Sequence, residues 1–522
     1  MRGIGDVLRL NAKYYPDKRA VVDSPKELTW RELNERVNRF SNALVGLGCR
    51  KGDRIAILAY SSIEYLESIF ACAKAGLIYV PLNFRLSVEE LVHILNDSTP
   101  TTLIFGNEFS NIASGFKSHF SLNYICIGED LDWAKEYESL IQPSSSVEPP
   151  EEWVSEGDIA EIFYTSGTTG RAKGVVHNHR GRLMGAVNCV IDGELNHDDV
   201  YLLNVPAICH TAGWVWVLAT AYVGGSIVIA KLRGFDPEVI LTTIQNHSIT
   251  NLQMVPVTIM QLIEFPEIKR YDLSSLRMIF YATAPMPAGP LKKALSIFGN
   301  IFMQPYGLTE TGPNVTCLRR KQHSISGLSD QQASKRLKSC GRPCYGVSVR
   351  LVDEKGEEVP PHTVGEILVK SNDMMEGYWN NKEETLKVVK DGWLHTGDLA
   401  TYDEDYYIYL VDRKKDMIIS GGLNIYPAEV EKVIYEHPMV SECAVVGVPD
   451  DTWGEAVKAF VVLRPGHEVT EREIIDSCRK SLASYKKPRS VEFVNGLPRN
   501  PQGKILKRVL REKYWADRDR KI

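Results

Sequence analysis

Between Thr29 and Phe105 the chain passes three times from a helical to an extended periodicity, and that alternation leaves few folds open. Thr29 with Glu32 forms a capping box, after which Leu33, Val37, Phe40, Leu44 and Leu47 share one helical stripe ending at Gly48. Residues 55–59 have the apolar composition of a strand. A second helix through Ile63, Leu66 and Phe70 leads to a strand at 78–80. A third, capped by Ser87 with Glu90, leads to a strand at 103–105. This rhythm predicts a parallel sheet with right-handed crossovers and helices on both faces. Residues 142–157, rich in Pro, Ser and Glu, read as a linker or surface excursion separating two similar α/β sub-domains. No short-period repeat suggests a solenoid.

At 522 residues the chain exceeds what one core supports, so two or more domains are expected. A net charge of -5 and 24% charged residues give no reason to expect a nucleic-acid or other polyanion partner. The N-terminus meets Asp6 before any apolar core, so no secretory signal is expected. Residues 211–230 form the longest uncharged run. Thr220, Tyr222 and Gly224-Gly225 interrupt it, which suits a buried helix, a turn and a strand better than a transmembrane segment. Ten scattered cysteines suggest reduced thiols and a cytoplasmic location. Cys340 and Cys344 suit a turn, and His177 with His179 lacks the neighbours a metal site needs.

Residues 164–174 make a loop of hydroxyls and glycines: Thr165, Ser166, Gly167, Thr168, Thr169 and Gly170, followed by Lys173. Such a loop can wrap its backbone N–H groups around phosphate oxygens, with short strands on either side. It is not a Walker A sequence, because Gly167 and Gly170 are too close and Gly174 follows the lysine. Alone, it also suits an unliganded hairpin turn. His210 follows a strand at 201–205, and a single histidine there has no assignable role by itself. A strand at 278–280 runs into Tyr281, Ala282, Thr283 and Ala284, whose small side chains would let a flat ring approach. Tyr306, Gly307, Thr309 and Glu310 then place an aromatic, a hydroxyl and a carboxylate within a few positions. Such a cluster can stack a purine, bond a phosphate and hold Mg²⁺ through Glu310.

Residues 318–340 are basic and read as a solvated loop, and strands are expected at 350–352 and 366–369. Asp398 has the acceptors to bind both hydroxyls of a ribose. A change of texture at Arg413 and Lys415 sets a domain boundary near Asp412. Beyond it come a helix at 427–436, strands at 444–448 and 459–463, and a helix capped by Thr470 with Glu473. Lys504 sits in a loop shaped by Pro498, Pro501 and Gly503, a plausible point charge for an anion. The basic tail through Lys507, Arg508 and Arg511 lacks the interleaved aromatics of a nucleic-acid site.

These motifs, in this order, resemble those of acyl-CoA synthetases in the adenylate-forming superfamily, which also contains luciferases and peptide-synthetase adenylation domains. The resemblance runs from about Val7 to about Leu510 and rests on residues 165–174, 306–310, 396–398, 412–431 and 498–504. It implies an α/β fold with a large N-terminal domain, residues 1–412, made of two stacked α/β sub-domains and a β-rich sub-domain. A small mobile α+β domain, residues 413–522, would turn about a hinge near Lys415. It implies ATP, Mg²⁺ and coenzyme A as partners in making a thioester from a carboxylic acid by way of an acyl-adenylate. Thr165, Ser166, Thr168, Thr169 and Lys173 would hold the leaving phosphates. Ala282, Thr283, Ala284, Tyr306 and Gly307 would border the adenine, and Thr309 would touch the α-phosphate. Asp398 and Arg413 would bind ribose, Glu310 the metal, and Lys504 the carboxylate and α-phosphate. A preorganised charge of that kind contributes on the order of 3 kcal/mol to a barrier.

By the same resemblance, Gly421 and Gly422 would line the thiol tunnel, with His210 between that route and the acyl pocket. His210, Trp214, Trp216, Tyr281 and Pro313 would border an apolar pocket for a fatty or other apolar monocarboxylic acid. Leu423 and Tyr406 depart from the common pattern, which has Glu and Gly there. An aromatic acid, loading of a carrier protein, or a non-catalytic nucleotide- or acyl-binding homologue are the alternatives. No carrier module is expected beyond Ile522, and a homodimer is left open.

Overall fold

The two capping boxes that frame the first helices both form. Thr29 Oγ1 accepts from the Glu32 N–H and the Thr29 N–H donates to Glu32 Oε2, and Ser87 with Glu90 repeats the arrangement. The computed structural model describes residues 1–165, 172–204, 207–230, 234–284, 286–499 and 504–516. Helix Trp30–Gly46 buries Leu33, Val37, Phe40 and Leu44. Ser62 caps helix Ile63–Ala75, which ends at Gly76 in the left-handed conformation. Strand Arg54–Leu58 pairs in parallel with Ile78–Pro81 on one side and Thr102–Gly106 on the other, as the alternation predicts.

Two sheets dominate the larger of two compact units, which comprises Met1–Val349, Val369–His395 and Tyr406–Ile408. The eight-stranded sheet runs from Gly377–Tyr378 through Lys173–Asn178, Ile159–Thr165, Ile78–Pro81 and Arg54–Leu58 to Thr102–Gly106, Asn123–Ile127 and Lys135–Glu136. The nine-stranded sheet includes Val200–Leu203, Ser226–Ile229, Asn251–Met254, Met278–Tyr281, Phe302–Leu308 and Gly312–Leu318. The uncharged run becomes helix Thr211–Tyr222 and strand Ser226–Ile229. That helix packs against Ile63–Ala75 through Phe70 and Trp214, whose ring centroids are 5.6 Å apart. One core cluster contains Ile57, Phe70, Trp214, Leu203 and Phe280, drawn from both sheets and the helices between them. Each such fully buried large side chain contributes about 1.5–3 kcal/mol.

Chain order divides the sub-domains less cleanly than the sequence suggests. Strands Arg19–Asp23 and Lys26–Thr29 join the nine-stranded sheet, while Ile159–Thr165, beyond the expected divider, joins the eight-stranded one. Strands pair where an edge accepts them, irrespective of sequence proximity. Residues 142–157 are also more than a linker. Glu148 pairs with the buried Lys74, and Asn38 and Asn42 donate to the carbonyls of Ser146, Ser145 and Val147. The basic stretch 318–340 carries helix Asp330–Leu337 and the buried His323, and Arg319 pairs with the buried Asp192.

The smaller unit comprises Arg350–Leu368, Thr396–Asp405 and Tyr409–Ile522. Of the two five-stranded sheets, the one that lies wholly in this unit includes Val440–Asp450 and Gly454–Leu463, paired antiparallel. Alternate residues face opposite ways. Cys443, Val445, Val457 and Ala459 meet Val430, Ile474 and Cys478 of helices Pro427–Tyr435 and Glu471–Ser481. Ala444, Val446 and Phe460 meet Leu497 and, from helix Lys507–Trp515, Leu510.

Arg182, on helix His179–Asp192, is fully buried in the larger unit. Its Nε lies 2.5 Å from Glu161 Oε1 and its Nη1 lies 3.4 Å from Asp373 Oδ1. Trp214 Nε1 donates to the other Glu161 oxygen at 2.8 Å. Arg182→Ala should therefore cost about 3–5 kcal/mol, because the Glu161 carboxylate would lose its partner in the core. Desolvation outweighs Arg182 and pushes the Asp373 carboxyl up to about 7. The folded state thus holds that proton more tightly than the unfolded chain. Its stabilising contribution is complete below about pH 4 and is lost as pH rises through about 7. Thermal melting across this range should show that slope reduced in Asp373→Asn; an unchanged slope would contradict the assignment.

Candidate functional site

Strands Ile159–Thr165 and Lys173–Asn178 form an antiparallel hairpin in which Thr165 faces Lys173 at the tip. Thr165 and Lys173, which flank the hydroxyl- and glycine-rich stretch, are therefore held opposite each other by one ladder. Ser166, Gly167, Thr168, Thr169 and Gly170 lie outside the described residues. Lys173 makes an ion pair with Glu384, and its Nζ lies 5.2 Å from the centre of the Tyr378 ring. Tyr378 reaches this position because Gly377–Tyr378 adds to the hairpin as an edge strand, opposite Val176 and Val175. Its hydroxyl donates to Glu310 Oε1 at 3.1 Å.

Four residues fix the turn that carries Thr309 and Glu310. The Met375 N–H donates to the Glu310 carbonyl at 2.9 Å, and His177 Nε2 lies 2.8 Å from the Thr309 carbonyl. Burial pushes the His177 imidazole well below its usual range, so it is neutral and its Nε2 carries the hydrogen. A Cβ on Gly307 would lie 2.5 Å from the Gly312 and Pro313 carbonyl oxygens. Gly312 has φ +83 and lies against Asp373, whose Oδ2 would be 2.3 Å from an added Cβ. Both glycines are thus required by close backbone approach. A single carboxylate at Glu310, with one oxygen engaged by Tyr378, suits a magnesium ion that takes its remaining ligands from nucleotide phosphates and water.

Ala282, Thr283 and Ala284 follow strand Met278–Tyr281, and Thr283 has φ +74. A β-branched residue held there costs about 1–3 kcal/mol, strain of the kind found where a ligand contacts backbone. Tyr281 and Trp214 are fully buried. The Tyr281 hydroxyl lies 2.8 Å from His323 Nε2, as the Trp214 indole is engaged by Glu161. Both are core walls with committed polar atoms. Trp216 stacks on Phe280 at 3.7 Å between centroids. His210 caps helix Thr211–Tyr222, its carbonyl accepting from the N–H groups of Gly213 and Trp214. Desolvation, with Arg85 nearby, pushes its imidazole down to about 4, so it is neutral at pH 7.

A second group of the expected residues lies in the smaller unit. Asp398 is buried, and Arg413 Nε stands 3.1 Å from its Oδ1. Thr396 Oγ1 donates to the Ile367 carbonyl and accepts from the Asp398 N–H, which fixes the turn. Glu366 accepts from the Gly397 N–H with one oxygen and from Lys414 Nζ with the other. Lys504 lies in the same electrostatic neighbourhood as Arg413, Lys415, Asp398 and Asp416. Desolvation of its ammonium, then the like charges of Arg413 and Lys415, push it down to about 8. Since Lys504 is exposed by area, the neighbouring cations are the firmer cause. Arg511 donates to the Lys415 carbonyl and pairs with Asp416, which anchors the expected hinge residue to helix Lys507–Trp515.

Gly421 and Gly422 form the turn between strands Ile418–Ser420 and Leu423–Ile425, both with positive φ. A Cβ on Gly421 would lie 2.6 Å from the Trp453 ring, whereas Gly422 meets nothing within 4 Å. Ile418 and Ile425 pack on the Val445 face of the sheet, and Ile505, next to Lys504, packs on the Ala444 face. The glycine turn is therefore the tip of a hairpin at the edge of that sheet, whereas Ile505, the neighbour of Lys504, packs on its Ala444 face. Sequence reasoning missed Glu366, Asp373, Tyr378 and Glu384. Each acts through partners far along the chain, and no local spacing marks them.

The chain is similar to known proteins over nearly its whole length. Residues 8–379 match the family model described as AMP-binding enzyme, and 429–504 match its C-terminal domain. A feruloyl-CoA synthase from an Amycolatopsis species is 39% identical over 513 residues, spanning 98% of this chain and 99% of that protein. The long-chain-fatty-acid–CoA ligase FadD13 of Mycobacterium tuberculosis is 34% identical over 521 residues, spanning 99% of each chain. The o-succinylbenzoate CoA synthetase of Bacillus subtilis, solved with its acyl-adenylate intermediate, superposes with a TM-score of 0.85 at 28% identity over 97% of each chain.

The cation cluster can be tested without substrate. Competitive acetylation read by mass spectrometry should show Lys504 titrating near pH 8. Arg413→Gln should move that midpoint upward, because one like charge has gone. A Lys504 midpoint in the ordinary lysine range, near 10.4, would show that the cluster does not form.

Proposed function

This chain belongs to the AMP-binding enzyme family, and from that premise we propose that it is an ATP-dependent acyl-CoA ligase for an apolar monocarboxylic acid. Its homologues are named as CoA ligases and synthetases, consistent with an AMP-forming acid–thiol ligase. A carboxylate is a poor electrophile. In the first step its oxygen attacks the α-phosphorus of ATP, the bond to the β-phosphate oxygen breaks, and pyrophosphate leaves. In the second, the coenzyme A sulfur attacks the acyl carbon. The acyl C–O bond breaks, AMP departs with the electron pair, and the thiol proton is released to solvent.

The observation that carries this reading is the placement of Lys504 beside Asp398 and Arg413. The α-phosphate is attached to the ribose, so a cation next to a ribose-binding carboxylate is next to the reacting phosphorus. There Lys504 stabilises charge that builds as the acid attacks. Asp398 accepts from the ribose hydroxyls and Arg413 orients that carboxylate. Lys173 and the residues around 166–170 hold the departing phosphates, and Thr309 bonds the α-phosphate. Mg²⁺ held by Glu310 and the nucleotide would neutralise phosphate charge. Neutral His210 borders the acyl carbon without placing a charge in its pocket.

The relatives are named for varied acids, among them a feruloyl group, long-chain fatty acids and 2-succinylbenzoate, and the first two support an apolar acid. The higher identity to the first gives an aromatic acid a specific claim within the same class. The test is AMP and thioester formation with acetate, octanoate, palmitate, benzoate and ferulate, with and without coenzyme A. AMP and thioester should appear in equal amounts, and only with the thiol. Each methylene buried is worth about 0.8 kcal/mol, so kcat/KM should rise about fourfold per added carbon until the pocket is filled. Preference for acetate, or AMP release that ignores coenzyme A, would overturn the reading.

A further inference from the structure

Lys173, which the ligase reading assigns to the departing phosphates, is held by a carboxylate that the reading does not use. Its ammonium pairs with Glu384 Oε2, and both side chains are largely covered, 13% and 21% exposed. Glu384 presents its other oxygen to Lys387 Nζ at 2.7 Å, and that lysine is 57% exposed. The Glu384 N–H donates to Asn381 Oδ1 at 3.1 Å, in the first turn of helix Lys382–Val388. The carboxylate is thus placed by a helix cap and does not depend on Lys173 for its position. A cavity of about 300 Å³ lined by His93, Lys173, Gly174, Trp379 and Glu384 adjoins the pair. Tyr378 completes the arrangement, its ring under the Lys173 ammonium and its hydroxyl on Glu310.

We propose that Glu384 is a positioning residue: it holds the phosphate-loop lysine in the nucleotide-free enzyme and yields it to the polyphosphate of ATP. The inference rests on the ligase reading above. An ammonium has three donors and one charge, so carboxylate and phosphate oxygens compete for it. A polyphosphate with Mg²⁺ wins that competition while it is bound. Lys387 then neutralises the released carboxylate, which lowers the cost of the exchange. When pyrophosphate departs, Lys173 returns to Glu384. The pair therefore opposes retention of pyrophosphate as much as it opposes binding of ATP.

The full chain is titrated calorimetrically with Mg-ATP and with Mg-pyrophosphate, as wild type, Glu384→Gln and Lys387→Gln, alongside the KM for coenzyme A. Glu384→Gln should tighten both ligands about fivefold, the scale of a partly exposed ion pair, and leave the KM for coenzyme A unchanged. Lys387→Gln should act in the opposite direction, because Glu384 then keeps Lys173 more firmly. A general structural role for the helix would move both variants the same way, and that result would overturn the proposal. So would wild-type binding that Glu384→Gln leaves unchanged or weakens, with melting temperature confirming that the variant is folded. If wild type binds neither ligand, the ligase reading fails first and this inference falls with it.

Discussion

Arg182 carries a full charge with no exposed surface, and the larger unit is arranged around that fact. A buried guanidinium persists only where carboxylates meet it, and Glu161 and Asp373 do so from two other segments. Glu161 lies on the strand that leads into the phosphate-type loop, and Arg182 lies on the helix that follows the hairpin. Asp373 precedes the edge strand that delivers Tyr378. Its carboxylate touches both Gly185 of the helix and Gly312 of the Glu310 turn, where an added Cβ would lie 2.1 and 2.3 Å from Oδ2. One ion-pair network thus registers the lysine of the loop against the carboxylate expected to hold the metal.

The smaller unit meets the opposite problem. It gathers Arg413, Lys415 and Lys504 in the neighbourhood of Asp398 and Asp416. Crowded cations repel one another, and the fold holds them by hydrogen bonds to backbone, such as those from Arg511, and by their fixed place on strand and helix ends. Under the proposed function, a phosphate bound there would relieve that repulsion, and the cost of assembling the cluster would return as affinity for an anion. The glycine turn at 421–422 closes a hairpin at the edge of this unit's sheet, and Ile505, next to Lys504, packs on its Ala444 face.

Much of this was legible before the structure. The capping boxes at Thr29, Ser87 and Thr470, the parallel strands near 55, 78 and 103, and the helix and strand within 211–230 all follow from local chemistry and period. Asp398 and Arg413 were expected in one site through the family resemblance, and their side chains do meet, Arg413 Nε standing 3.1 Å from Asp398 Oδ1. Sheet membership was not legible: strand Arg19–Asp23 joins Ser226–Ile229 across two hundred residues, and only an available edge decides that. Tyr378, Glu366, Asp373 and Glu384 escaped for the same reason. Local sequence also could not reveal that Glu161 and His323 occupy the polar atoms of Trp214 and Tyr281. The left-handed Tyr406, at a position where glycine is common, shows that a departure from pattern need not change the backbone.

The central claim is that one lysine serves the first half-reaction and has no part in the second. The direct measurement compares acid-dependent exchange of labelled pyrophosphate into ATP with thioester formation from a supplied acyl-adenylate, in wild type and Lys504→Ala. The account predicts that exchange falls by on the order of 10²–10³ while thioester formation from the adenylate is kept. Equal loss of both, or exchange that survives without Lys504, would contradict it.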